Sequence, residues 1–355
     1  MNIKIGEKNV GDKYPVYFIA DIAANHDGDL NRAKELILLA KESGADAAKF
    51  QHFKANKIVS DFGFKNLNKD QLSHQAKWGK SVFEVYKDAE INRNWTEELY
   101  NHCQEVGIHF FSSPYDFDAV DMLEQYMPAY KIGSGDITWS EILVKIAQKN
   151  KPVLLATGAS SLSEVKEAME TIEQYNNKIV LMQCNTNYTA SLENFKYISL
   201  NVLNTYKSLY PDVVLGLSDH TLGHTTVLGA VALGARVVEK HFTDDNNRVG
   251  PDHAFAMNPR TWREMVDRTR ELENALGSSI KKVEDNEKQT VVLQRRCLRA
   301  TQDLPKGKLI TSDDFEALRP APEGAVKPSQ LKLIIGKKLR RDLKYGEHLT
   351  MEDVC

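Results

Sequence analysis

Eight short apolar runs alternate with helical stretches along most of the chain, and this alternation restricts the fold more than any other feature. The runs are rich in β-branched and aromatic residues and cover 16–22, 46–51, 108–113, 128–133, 152–157, 178–184, 212–218 and 236–241. Amphipathic segments such as 30–43, 94–106 and 163–175 lie between them. In the last of these, Val165, Ala168, Met169 and Ile172 recur at helical spacing. Strands joined through helices pair in parallel. Eight such units over about 250 residues predict a (β/α)8 barrel. An open doubly wound sheet is the alternative, but no GxGxxG follows the first run.

Two stretches break the alternation. Residues 54–93 form a long polar insert with scattered aromatics, Phe62, Phe64, Trp78, Phe83 and Tyr86. A connection of this length reads as a lid or binding loop, or as a surface decoration with its own short helix. From Gly277 to Gln289 the chain is rich in Lys and Glu. Beyond it come short strand-like pieces punctuated by Pro305, Gly307, Pro320, Pro322, Gly324, Pro328 and Gly346. The expected division is a barrel over 1–276, a linker over 277–291 and a small β-rich domain over 292–355.

Composition narrows the function classes. A net charge of −3 carries no polyelectrolyte signature, so nucleic acid is not an expected partner. No apolar run approaches the length of a membrane span, and residues 1–15 lack the apolar core of a secretory signal. Cys103, Cys184, Cys297 and Cys355 have no CxxC or regular spacing and read as reduced thiols of a cytoplasmic protein.

In a parallel barrel the chemistry sits at the C-terminal tips of the strands. Two tips carry histidines: Ser218-Asp219-His220-Thr221 and Glu239-Lys240-His241-Phe242-Thr243. Neighbouring parallel strands lie about 4.8 Å apart, so His220 and His241 could share one divalent cation. The alternative is two histidines hydrogen-bonded in loops. The second strand ends Ala48-Lys49-Phe50-Gln51, and the fourth runs Lys131-Ile132-Gly133-Ser134-Gly135-Asp136. A lysine facing the middle of a barrel is costly unless an anion meets it. Without a ligand, Lys49 and Lys131 would need two internal salt bridges; a bound anion is the preferred reading. Ser113, Thr157 and Asn185 stand at other strand ends, where a lone hydroxyl or amide is ordinarily a loop cap. Together, these cations, hydroxyls and amides suit a phosphate and a carboxylate held side by side.

The segments Ala24-Asn25-His26-Asp27-Gly28-Asp29, Ala48-Lys49-Phe50-Gln51, Phe111-Ser112-Ser113-Pro114, Lys131-Ile132-Gly133-Ser134-Gly135, Cys184-Asn185-Thr186, Ser218-Asp219-His220, Glu239-Lys240-His241-Phe242-Thr243 and Gly250-Pro251-Asp252-His253 occur in one order. In that order and spacing the chain resembles the sialic acid (N-acetylneuraminate) synthase family over nearly its whole length. The tail, with Leu318-Arg319-Pro320, resembles the antifreeze-like (SAF) domain of these synthases. The resemblance implies condensation of phosphoenolpyruvate with an open-chain N-acetylated hexosamine, giving a nine-carbon 3-deoxy-2-keto acid and phosphate. It implies Mn²⁺ or Mg²⁺ on His220 and His241, with Lys49 and Asp136 also at catalytic positions. Lys49, Lys131, Ser134, Asn185 and Ser218, with Ser113 and Thr157, match the phosphoenolpyruvate cradle. Asp21, Gln51, Asn187 and Asp252 match the sugar site. Arg319 matches an arginine that reaches a partner's sugar in a domain-swapped dimer.

Four positions depart from the family pattern: Asp21 and Asp136 stand where it has glutamate, Asn187 where glutamate is common, and Ala156 where it has serine. Each Asp reaches roughly one bond less than Glu, a displacement that can alter rate a hundredfold. The expected consequence is a changed acceptor, such as a 2,4-diacetamido-trideoxyhexose. Other readings are a barrel that binds a sugar phosphate without condensing it, or an aldolase or hydrolase. A class I aldolase needs a lysine in apolar surroundings, whereas both lysines here sit among hydroxyls. Ice binding by the tail does not suit a segment dense with Lys, Arg, Asp and Glu.

Overall fold

An antiparallel hairpin, β1 (Asn2–Ile5) and β2 (Lys8–Gly11), comes first in the computed structural model, which describes residues 2–67, 75 and 78–355. Each of the eight expected runs then forms a strand. They are β3 (Tyr17–Asp21), β4 (Ala47–His52), β5 (His109–Pro114), β6 (Tyr130–Ile132), β7 (Val153–Ala156), β8 (Ile179–Cys184), β9 (Val214–Asp219) and β10 (Val237–His241). All are parallel, in the order β5-β4-β3-β10-β9-β8-β7-β6. Sequence order therefore runs around a ring, with β5 and β6 packed side by side at the seam. This is a (β/α)8 barrel.

Alternation along each strand sorts its side chains between two cores. Phe18, Ala20, Ala48, Phe50, Val153, Leu155, Leu215 and Leu217 face outward and pack with the helices. Tyr17, Ile19, Ala47, Phe111, Leu154, Val180, Met182, Val214 and Val237 fill the lumen, where Ile3, Ile5 and Val10 of the hairpin join them. Gly216 belongs to this crowded layer: a Cβ there would lie 2.9 Å from Met182 Cγ and 3.0 Å from the Val237 carbonyl oxygen. The hairpin seals the lumen below, so a ligand must enter at the C-terminal tips.

The helices follow their apolar stripes. In Leu162–Glu173, Val165, Ala168, Met169 and Ile172 are buried, and Ser161 and Glu164 form a capping box. In Leu30–Glu42 the stripe is Ala33, Leu36, Ile37 and Ala40, capped by the Asp29 carboxylate. The insert builds short helices, Ala55–Ile58, Asp61–Lys65 and Val82–Ala89. Glu90 closes it by accepting from the Ala55 N–H at 2.6 Å and pairing with Lys54 at 3.0 Å. Residues 68–74, 76 and 77 of this segment lie outside the described residues.

The chain divides into two units, Met1–Gly277 and Ser278–Cys355. In the second, the short helix Lys288–Gln294 precedes an antiparallel pair, β11 (Cys297–Ala300) and β12 (Phe315–Leu318). Leu298, Leu304, Ile310, Phe315, Val326, Leu339, Leu343 and Leu349 form its own small core. All four cysteines are free. Among the described residues no helix is long and apolar enough to cross a membrane.

Candidate active site

The polarity of the lumen changes abruptly toward the strand tips. The same inward parity that buries Ile19, Ala47 and Val237 presents Asp21, Lys49 and Glu239 one pleat higher, then Gln51 and His241. With Ser113, Lys131, Ser218 and His220 they line a cavity of about 410 Å³ at the C-terminal mouth. Ser134 and Asp136, in the short turn after β6, line it too, as does Asp252 from the loop after β10.

Both lysines have the internal salt bridges that sequence alone ranks below a bound anion. Lys49 Nζ donates to Asp21 Oδ2 at 2.6 Å and lies 3.9 Å from Glu239 Oε1; Lys131 Nζ lies 3.2 Å from the same Glu239 oxygen. Burial alone would lower the Lys49 ammonium, but Asp21 and Glu239 outweigh it and hold the group above its ordinary value. Asp21 also accepts from Gln51 Nε2 at 3.2 Å and the Ala23 N–H at 3.1 Å, so this carboxylate is engaged within the protein. Glu239 accepts from Ser218 Oγ at 3.3 Å through Oε1, while Oε2 is buried without a hydrogen-bond partner among the described residues.

His220 and His241 face each other with ring centroids 5.4 Å apart. His220 Nδ1 lies 2.8 Å from the Asn185 carbonyl oxygen. A carbonyl can only accept, so Nδ1 carries a proton and Nε2 is the nitrogen left to meet a cation. Burial alone would lower the His220 imidazole, but Cys184, the Asn185 carbonyl and Asp219 outweigh it and hold the ring above its ordinary value. Burial pushes the His241 imidazole well below its ordinary value, and His220, Lys49 and Lys131 push the same way, so the ring is neutral. Its Nδ1 is buried with no hydrogen-bond partner among the described residues and lies 3.9 Å from Asp252 Oδ2. Two facing imidazoles, the His241 ring neutral, beside carboxylates and an open cavity, fit a divalent cation, which would take the place of a proton on His220. Among the described residues no group of three or more His, Cys, Asp or Glu converges on one cation position, so the fit rests on these two rings. Tyr188 and Phe255 brace them, with centroids 4.4 Å from His220 and 4.9 Å from His241 respectively.

Two further carboxyls are tuned. Burial raises Asp136 to about 6 against the opposing pull of Lys131. Burial and then repulsion from Asp21 raise Asp252 to about 6 as well.

Three expected residues of the barrel are not brought into the cavity lining. Thr157 Oγ1 donates to the Met182 carbonyl and accepts from Tyr206 Oη, outside the lumen. Asn185 caps its own loop, with Nδ2 donating to the Tyr197 carbonyl and Oδ1 accepting from the Asn187 N–H. Asn187 is exposed and accepts from Thr189. Arg319 is an exposed residue of the second unit. Conversely, Glu239, Tyr115 and Tyr188 line the cavity without having been singled out. Strand parity could have found Glu239, which shares the inward face of His241. The tyrosines sit in loops, where no periodicity marks direction.

The outer wall differs in character from the barrel floor. From the insert come Ile58, Trp78, Val85, Tyr86 and Ala89, with Phe53 at the end of β4. Tyr86 packs at a tilt against Phe53, ring centroids 5.5 Å apart, and its hydroxyl is raised by burial and then by Asp252.

Comparison with known proteins gives consistent matches. The model of the NeuB family matches residues 36–281, and that of the SAF domain matches 295–354. The N,N'-diacetyllegionaminic acid synthase of Legionella pneumophila is 35% identical, over 98% of this chain and 97% of that protein. The N-acetylneuraminate-9-phosphate synthase of Homo sapiens is 33% identical, over 93% of this chain and 90% of that protein. The crystal structure of the N-acetylneuraminic acid synthetase of Leptospira borgpetersenii matches with a TM-score of 0.71 at 28% identity, covering 82% of this chain and 95% of that one.

Proposed function

The chain belongs to the NeuB family and is a synthase, and on that premise we propose that it condenses phosphoenolpyruvate with the open-chain form of an N-acetylated hexosamine. Phosphoenolpyruvate C3 bonds to the aldehyde carbon, water adds at C2, and the C2–O bond to phosphate breaks. The products are a nine-carbon 3-deoxy-2-keto acid and inorganic phosphate. The observation that carries this reading is the pairing, in one cavity, of two buried lysines with two facing histidines.

Lys49 and Lys131 would receive the phosphate and carboxylate of phosphoenolpyruvate, with Ser113, Ser134 and Ser218 supplying hydroxyls. Thr157 and Asn185 would act from behind this shell. His220 and His241 would hold Mn²⁺ or Mg²⁺, which supplies Lewis-acid polarisation of the acceptor carbonyl. Asp136, kept near neutrality by burial, can hold or release a proton at the reacting carbons. Gln51, Asp252 and Asn187 would meet the sugar, while Asp21 would act chiefly by positioning Lys49 and Gln51.

For the acceptor we propose a 2,4-diacetamido-trideoxyhexose in preference to N-acetylmannosamine. The wall of Ile58, Val85, Tyr86 and Ala89 offers no charge to a polar ring. Acetamido and deoxy methyl groups would bury against it, at about 0.8 kcal/mol per carbon. The deciding assay follows phosphate release from phosphoenolpyruvate across a panel of N-acetylated hexosamines with Mn²⁺, with product masses. Phosphate should appear only with a sugar and should stop with EDTA. Release without sugar, or none with any sugar, overturns the synthase reading. A higher kcat/KM for N-acetylmannosamine than for every diacetamido sugar overturns the acceptor alone.

A further inference from the structure

Behind the two histidines lies a buried ion pair that takes no part in the chemistry above. Asp219 and Lys240 are register partners on the neighbouring strands β9 and β10. Alternation turns Ser218, His220, Glu239 and His241 into the lumen and leaves Asp219 and Lys240 on the outer face of the sheet. Both side chains are only 1% exposed. Lys240 Nζ donates to Asp219 Oδ2 and, at 2.6 Å, to the Thr221 carbonyl oxygen. The Asp219 carboxylate also accepts from the Thr221 N–H at 3.2 Å, the Thr221 hydroxyl at 2.9 and 3.0 Å, and the Thr226 hydroxyl at 2.6 Å. Thr221 directly follows His220, and Thr226 lies in the first turn of the helix Thr225–Ala232. The loop leaving β9 is thus pinned on both sides of His220. The ammonium that pins it belongs to the residue just before His241.

Stability alone does not account for this pair. Removing two charges from water is costly, and well-packed apolar residues of similar volume often serve as well or better. A charge pair with directed hydrogen bonds adds something that packing lacks: a defined separation and twist between the two strand ends. We infer that Asp219 and Lys240 are positioning residues that set the spacing and facing of His220 and His241 from behind the sheet. The inference rests on the reading that these two imidazoles hold a divalent cation.

Mn²⁺ binding to metal-stripped protein, followed by the electron paramagnetic resonance signal of the free ion, tests it without turnover. The set is wild type, His220→Ala, His241→Ala and the double variant Asp219→Leu/Lys240→Met. A single change would strand one buried charge, whereas the double variant removes both. The double variant should fold with Tm close to wild type and bind Mn²⁺ at least tenfold more weakly. In turnover its kcat should fall while KM for phosphoenolpyruvate changes less than twofold. Wild-type Mn²⁺ affinity in the folded double variant, with binding lost in the histidine variants, overturns the inference and leaves the two-histidine reading standing. Wild-type affinity in both histidine variants overturns that reading and this inference together. Should the Leu/Met pair not fold, Asp219→Asn/Lys240→Met, which keeps a side-chain acceptor for Thr221 and Thr226, is judged by the same outcomes.

Discussion

Lys131 and Glu239 illustrate how a buried charge can be held for one partner and used for another. The 3.2 Å ion pair keeps the ammonium tolerable inside the lumen, and Glu239 in turn has one oxygen with no hydrogen-bond partner among the described residues. Lys131→Met therefore has two separable consequences. Glu239 loses its nearest cation, and unfolding by denaturant should show a loss on the order of 3 kcal/mol; adding Glu239→Gln should recover most of it. KM for phosphoenolpyruvate should rise at least tenfold in both variants, with KM for the sugar nearly unchanged. Equal weakening of both substrates would make the lysine scaffold. Asp136 allows a test by pH. Burial raises its folded carboxyl to about 6, above the ordinary 3.8. Between those values the folded chain holds a proton that the unfolded chain has released, so the contribution of Asp136 to stability falls as pH rises through the window. Relative to Asp136→Asn, metal-free wild type should lose at most about 3 kcal/mol from pH 4 to pH 7.5, with partial solvent exposure trimming the figure. A pH-independent difference in denaturation midpoint between the two proteins would refute the shifted carboxyl. The lysines were readable in sequence because an inward-facing ammonium is costly enough to stand out. Their carboxylate partners were not, because sequence does not reveal that Asp21, on β3, and Glu239, on β10, converge on the lysines across the lumen.

The strands were readable for a related reason. Each apolar run is bounded by polar or glycine-containing loops, and the parallel ladder buries it on both faces, so eight runs translate directly into eight strands. The hairpin β1/β2 escaped because Asn2–Ile5 and Lys8–Gly11 are short and half-polar; only Ile3, Ile5 and Val10 reveal its role, and they do so by filling a lumen that the local sequence does not describe. The insert was readable as an element out of pattern, but not as a wall. Apart from Trp78, its apolar members come from two short helices that meet only in three dimensions, Ala55–Ile58 and Val82–Ala89, tied at the base by Glu90. If that wall meets the acceptor, Val85→Asn should raise KM for a diacetamido sugar about tenfold and leave KM for phosphoenolpyruvate within twofold. The change falls on a half-buried position and should cost little stability. An unaltered ratio of kcat/KM between diacetamido sugars and N-acetylmannosamine would show that the wall does not select the acceptor.

Arg319 belongs to the second unit, whose core of Leu298, Leu304, Phe315 and Leu349 is its own. Between the barrel and that core, residues 278–290 are all exposed. Thirteen residues span at most roughly 43 Å when extended, a reach long enough to serve either the same chain or a neighbour. We propose the neighbour: two chains exchange their small units, and Arg319 of one completes the sugar site of the other. Arg319→Ala should then raise KM for the sugar with phosphoenolpyruvate nearly unaffected. His241→Ala should remove turnover in the barrel that carries it. These lesions fall on different halves of a composite site, so the two variants can repair each other. In a purified heterodimer, the barrel of the Arg319→Ala chain meets the intact arginine of the His241→Ala chain. One site of the two is then whole, and kcat per dimer should return to about half the wild-type value, with wild-type KM for the sugar. If each arginine served its own barrel, the same heterodimer would hold one barrel without His241 and one without its arginine. The wild-type KM would then never reappear, whatever the mixing ratio, and the exchange would be refuted.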